Sequence, residues 1–129
     1  LRTNNGVMKS CWGLDLLISG QTLFIKLDKN KKVIGGYVFE ILKKYENVTG
    51  IKIKFKMEET LQNCLDKMRN GTNDVMTGLL EKDDRNTYMD YYYGDKENDD
   101  QFKQIVISKK SPFAKYSKEL EKSINIVQN

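Results

Sequence analysis

The chain has 129 residues, 39% of them hydrophobic and 31% charged, which is the length of one domain with a modest core. Lysine and arginine number 22 against 18 aspartate and glutamate, a formal net charge of +4. The basic residues are scattered, as in Ile51-Lys-Ile-Lys-Phe-Lys56, rather than interleaved with aromatics in one patch. They read as solvated faces and argue against nucleic-acid binding. No apolar run is long enough to cross a membrane.

In chain order, residues 1–13, with Asn4-Asn5-Gly6 and Gly13, read as an irregular segment. Leu14 to Ser19 and Thr22 to Leu27 are strand-like, and the polar run Asp28 to Lys32 reads as a turn. Val38, Ile41, Leu42 and Tyr45 follow the i, i+3, i+4, i+7 pattern of a helix near 37–48, which Gly50 stops. Ile51, Ile53 and Phe55 alternate with lysines, the pattern of a half-exposed strand. Leu61, Cys64, Leu65 and Met68 predict a second amphipathic helix near 59–70, closed by Gly71. Asp74 opens a buried strand over 75–80. The order is β-α-β-α-β, which calls for a parallel sheet with right-handed crossovers built on 51–56, 22–27 and 75–80.

Beyond this core, Asp83 and Asp84 favour a new helical turn that carries Arg85. At the carboxyl ends of the strands of an α/β sheet, a guanidinium can hold a carboxylate in a two-pronged grip. The plainer alternative is that Arg85 pairs with Asp83 or Asp84 on the surface. Tyr88, Tyr91, Tyr92 and Tyr93 form an aromatic cluster, read as core and hinge packing or as the wall of a ligand site. Residues 94–100 make a polar loop, Gln104 to Ser108 a strand, and Pro112 a break.

The side-chain inventory excludes other chemistry. There is no histidine and there are only two cysteines, so a zinc site is not expected. Cys64 lies on the apolar helix face, where buried packing is the default, and a bond to Cys11 in an oxidising compartment is the alternative. The acids nearest Arg85, namely Glu81, Asp83 and Asp84, sit on a polar turn and offer no credible proton-transfer pair. Catalysis is therefore not expected, and neither is a cofactor.

A spaced series of segments carries a family resemblance. Thr22-Leu-Phe24 resembles a Pro-Pro-Phe at the end of a first strand. Asp28 to Leu42 resembles a polar hairpin followed by Gly-Phe-Asp-Val-Asp-Leu-Leu, and Thr49-Gly-Ile-Lys-Ile-Lys-Phe55 resembles Leu-Gly-Leu-Lys-Val-Glu-Phe. Leu61, Leu65, Met68, Gly71 and Asp74 fall where Trp, Leu, Leu, Gly and Asp are usual. The segment ending in Arg85 resembles a Thr-Pro-Glu-Arg turn, and Met89-Asp-Tyr-Tyr92 stands where Phe-Ser-Pro-Tyr is usual. Gln104 to Pro112 and Lys118 to Val127 resemble the opening of a second lobe. In this order and spacing, residues 21–129 resemble the bacterial extracellular solute-binding proteins of family 3, the amino-acid-binding type, and their sensor-domain relatives.

The resemblance implies an α/β fold of the periplasmic-binding-protein-like type II class, incomplete here. That is a three-layer lobe with a mostly parallel sheet and helices on both faces. It divides the chain into the N-terminal segment 1–13, a first lobe over 14–93, and a crossover with the start of a second lobe over 94–129. It implies extracytoplasmic binding of a small polar solute, an amino acid or other carboxylate, for an ABC importer. The alternative is a ligand-sensing domain of a membrane signalling protein. The partners implied are a membrane permease or a signalling domain, and the place is the periplasm or a cell-surface lipoprotein.

Residue by residue, Arg85 matches the arginine that clamps a ligand carboxylate, and Thr77 and Gly78 match positions lining the cleft floor. Leu80 stands where serine is common and Lys82 where threonine is common, which removes hydroxyl donors. Gln21 stands where an aromatic often stacks on the ligand, and Phe24 matches the Phe of Pro-Pro-Phe. The rest of the second lobe, including its acid for a ligand's amino group, is missing from this sequence. Its ending in the strand-like run Ile126-Val-Gln-Asn129 favours a fragment over a single-lobe variant. One lobe is expected to bind free amino acids weakly, roughly millimolar or worse. The apolar strand Ile105-Val-Ile107 is expected either to fold back or to pair with another copy.

Overall fold

The computed structural model describes residues 6–18, 23–93 and 104–116. Strand β1 (Val7–Gly13) runs parallel to β4 (Lys52–Glu58) through seven register pairs, from Val7 beside Lys52 to Gly13 beside Glu58. This corrects the reading of residues 1–13 as irregular: β1, not the segment 22–27, is the strand beside 51–56. Its alternation is real but concealed, because Met8, Ser10 and Trp12 are buried on one face while a lysine and a cysteine occupy the other. The short apolar run after it is a helix rather than a strand, α1 (Leu14–Ile18). Asp15 determines that outcome through tertiary bonds: its amide donates to the Glu59 carbonyl (3.1 Å) and its carboxylate accepts from the Leu61 amide (3.0 Å).

Within the expected strand 22–27, only β2 (Lys26–Leu27) is paired, in a hairpin with β3 (Val33–Gly35). The predicted turn closes it, with Asp28 Oδ1 accepting from the amides of Asn30 (2.8 Å) and Lys32 (2.9 Å). The two long helices stand where periodicity puts them. They are α2 (Tyr37–Thr49), ended at Gly50, and α3 (Leu61–Asn70), ended at Gly71 and capped at its start by Thr60 Oγ1 accepting from the Asn63 amide (3.1 Å). Helix α3 covers the Cys11 face of β1 and α2 covers the Trp12 face, which gives the three layers. Of the strand expected over 75–80, only β5 (Val75–Met76) pairs; after it come α4 (Asp83–Asn86) and β6 (Met89–Tyr93).

Strand β7 (Gln104–Ser108) lies antiparallel between β5 and β6, with every residue buried. A 3-10 turn at Pro112–Tyr116 follows, and it buries Phe113. Residues 104–116 pack on the same core as β5 and β6. The apolar run Ile105-Val-Ile107 has folded back, one of its two expected outcomes. The sheet is also less parallel than expected: β1 with β4 is the parallel pair, and β5, β7 and β6 pair antiparallel.

Two features weld these parts. Cys11 and Cys64 form a disulfide between β1 and α3, with Cα atoms 5.9 Å apart and 53 positions between them in sequence. The default of free, packed thiols is therefore overturned. Asp74 joins the two strand groups. Its amide donates to the Lys9 carbonyl (2.8 Å), Oδ2 accepts from the Lys9 amide (2.8 Å), and its carbonyl accepts from the Ser108 amide (2.9 Å). Its Oδ1 accepts from the Ser111 hydroxyl (2.5 Å).

Two outcomes follow for stability. Reducing the disulfide, or Cys64→Ser, should lower unfolding free energy by about 2–4 kcal/mol, measured by urea titration with and without reductant. Asp74→Ala should cost about 2–3 kcal/mol, because it strands the Lys9 amide and the Ser111 hydroxyl, while Asp74→Asn, which keeps an acceptor, should cost less. Equal denaturation midpoints for Asp74→Ala and the parent would contradict this role.

Candidate functional site

The floor of the site begins at Gly36. Its φ is +102°, and a Cβ there would lie 2.5 Å from the Phe24 carbonyl oxygen, so only glycine fits. That close approach lets the first amides of α2 reach the preceding segment, Tyr37 to the Leu23 carbonyl (3.0 Å) and Val38 to the Phe24 carbonyl (2.9 Å). Phe24 is then fixed between two rings, edge-on to Trp12 at 6.0 Å and 65° and to Tyr37 at 6.2 Å and 63°. Gly78, at φ +77°, closes the floor from the other side. A Cβ on it would sit 3.1 Å from Val38 Cγ2 and 3.5 Å from the Trp12 ring.

Trp12 is the residue that sequence reasoning missed. It is 1% exposed at the carboxyl end of β1 and touches both Phe24 and the Gly78 position. Its being the only tryptophan in the chain was the available signal.

The wall after Gly78 is built on the Leu80 carbonyl. Arg85 Nη1 donates to it at 2.8 Å and the Tyr91 hydroxyl at 3.2 Å. Arg85 is half-buried and pairs with neither Asp83 nor Asp84; among the described residues it has no carboxylate partner. A guanidinium carries five N–H donors, so most of its bonding capacity is uncommitted. Tyr91 stacks on Tyr93 at 6.4 Å and 19°, and the Tyr93 hydroxyl donates to Glu81 Oε1 at 2.7 Å.

The remaining expected site residues fall differently. Thr77 is 0% exposed, and its hydroxyl donates to the Gln104 carbonyl, so it clamps β7 instead of opening to a cleft. Leu80 is 47% exposed and contributes its carbonyl rather than its side chain. Gln21 lies outside the described residues. Gly78 and Phe24 are brought together through Trp12, Val38 and Tyr37, and Arg85 is tied to the same 78–80 segment at the Leu80 carbonyl. Among the described residues no cluster of three or more histidine, cysteine or acidic side chains stands ready for a metal.

Burial raises the ionisation of Tyr91 above its usual value, with the nearby Arg85 opposing the shift. Tyr93 is pushed up to about 12, by burial first and then by its bond to Glu81. An unfolded tyrosine ionises near 10.0, so the folded chain binds more protons between that value and about 12. Stability is fully present below pH 10 and falls as pH rises through that window. Alkaline titration followed at the tyrosinate absorbance should show Tyr93→Phe removing the phase near pH 12 and leaving the later ionisation of the more deeply buried Tyr45; loss of an early phase instead would refute it.

No family model and no curated protein matches this sequence. Solved structures do. The arginine-bound form of domain 1 from TmArgBP is 18% identical, with a TM-score of 0.65 over 95% of this chain and 90% of that one. Substrate-binding domain 2 of GlnP from Lactococcus lactis, in its open conformation, is 19% identical, with a TM-score of 0.58 over 72% of this chain. A histidine kinase sensor domain with similarity to periplasmic binding proteins is 16% identical, with a TM-score of 0.56 over 70% of this chain. The chain spans 38% of the GlnP domain and 36% of the sensor domain. These likenesses show the fold alone, one shared with domain 1 of TmArgBP and with about a third of the GlnP domain and of the sensor domain.

Proposed function

We propose that this chain binds a small polar solute bearing a carboxylate, an amino acid foremost, at the surface formed by Phe24, Gly78 and Arg85. The observation that carries the reading is Arg85. Its guanidinium is held at one nitrogen by the Leu80 carbonyl and keeps its other donors free of any carboxylate among the described residues. A fork in that state suits a carboxylate, which lysine does not match. The aromatic floor of Trp12, Phe24 and Tyr37 offers an apolar bed beside it.

The arginine-bound domain 1 of TmArgBP, matched over most of both chains, supports a single lobe holding an amino acid. One lobe leaves the ligand half in water, so the affinity falls near the millimolar range, roughly −4 kcal/mol. The disulfide fits an oxidising, extracytoplasmic setting. Within it the chain serves an ABC importer through a permease. The likeness to a histidine kinase sensor domain supports sensing as the second reading. Binding rather than catalysis is the activity in either case.

The test is an NMR titration of the chain with arginine, glutamine and cystine. At least one should shift the amides of Gly78 to Arg85 saturably. Arg85→Ala should weaken that ligand by about 1.5 kcal/mol, near tenfold. Unchanged affinity in Arg85→Ala, or no response to any amino acid, would overturn the proposal.

A further inference from the structure

The fold gathers lysines that look scattered in the sequence. A groove of about 240 Å³ opens on the α3 side of the β1–β4 pair, lined by Lys9, Lys54, Lys56, Lys67, Glu58 and Asn73, with Cys11 also contributing. Glu58 is paired with Lys67. Lys9, Lys54 and Lys56 have no acidic partner among the described residues, so the groove holds three uncompensated ammonium groups.

Register explains their proximity. Lys9 and Lys54 are direct partners across the parallel pair, and Lys56 is the next residue of β4 on the same face. Neighbouring strands lie about 4.8 Å apart and same-face residues about 6.6 Å apart along a strand. Like charges set directly opposite destabilise a sheet.

Lysines on an edge strand commonly guard against unwanted pairing, which accounts for Lys54 and Lys56. It does not account for Lys9, because Asp74 already bonds the Lys9 amide and carbonyl and so occupies that stretch of the β1 edge. Nor does it account for a concave arrangement closed by α3, which the disulfide pins at Cys11. A small multivalent anion would relieve the repulsion of all three charges at once, and the enclosed volume suits one better than it suits a flat membrane.

We propose that this groove is a second binding site, distinct from the Arg85 surface, for a small multivalent oxyanion of the phosphate or polycarboxylate class. The test is isothermal titration of the chain at low ionic strength with pyrophosphate and, separately, citrate. At least one should bind saturably at one site, and the affinity should fall with added salt. Lys9→Gln and Lys54→Gln, both at exposed side chains, should each weaken it by about tenfold. Lys44→Gln, an exposed lysine on α2, should leave it unchanged. Absence of saturable binding by both anions would overturn the proposal. So would equal affinity in the Lys9 and Lys54 variants, or retention on phosphatidylglycerol vesicles when neither anion binds.

Discussion

The lobe hangs on Asp74. One residue, 5% exposed, uses its amide, its carbonyl and both carboxylate oxygens in four bonds to three residues, Lys9, Ser108 and Ser111. The two bonds to Lys9 fasten the parallel pair to the start of β5, and the bonds to Ser108 and Ser111 fasten β7 and the turn after it. A buried carboxylate is costly unless its lone pairs are met, and here backbone and hydroxyl donors meet them. Another tie between the two strand groups runs indirectly through α3, where the Ser108 hydroxyl donates to the Met68 carbonyl and Cys64 is bonded to Cys11.

The same junction positions the candidate site. Strand β7, once held by Asp74, presents Gln104 to the segment that leaves β5. The Gln104 side chain accepts from the Leu79 amide (2.9 Å) and donates to the Leu79 carbonyl (2.6 Å), and its own carbonyl accepts from Thr77. These bonds complete the backbone pairing that the strand gives up after Met76. They leave Gly78 against Trp12 and turn the Leu80 carbonyl toward Arg85 and Tyr91. The arginine is therefore oriented by a chain of contacts that starts in the core.

The lysine groove and the Arg85 surface share no residue. One lies where α3 meets the parallel pair, the other on the segment that follows β5. Their separation follows from the layers: α2 and α3 cover opposite faces, so each leaves a different border open.

Much was legible before any coordinates. The periodicity of Val38, Ile41, Leu42 and Tyr45, and of Leu61, Cys64, Leu65 and Met68, determined both long helices, because a 3.6-residue stripe has no other way to bury itself. Asp28 marked its turn through local hydrogen bonding, and the spaced resemblance marked the fold. Three things were not legible. The strand role of Val7–Gly13 was concealed, since Lys9, Ser10 and Cys11 break the apolar alternation and only pairing with β4 reveals it. The helical state of Leu14–Ile18 depends on bonds from Asp15 to residues far along the chain. The Cys11–Cys64 bond, the return of β7 between β5 and β6, and the burial of Thr77 all depend on distances that no local pattern encodes. The sequence by itself determined which segments are amphipathic and with what period, because that is a property of neighbouring residues. The tertiary structure decided which strand lies beside which, where Arg85 rests and which lysines meet, because those outcomes depend on contacts between residues remote in the chain.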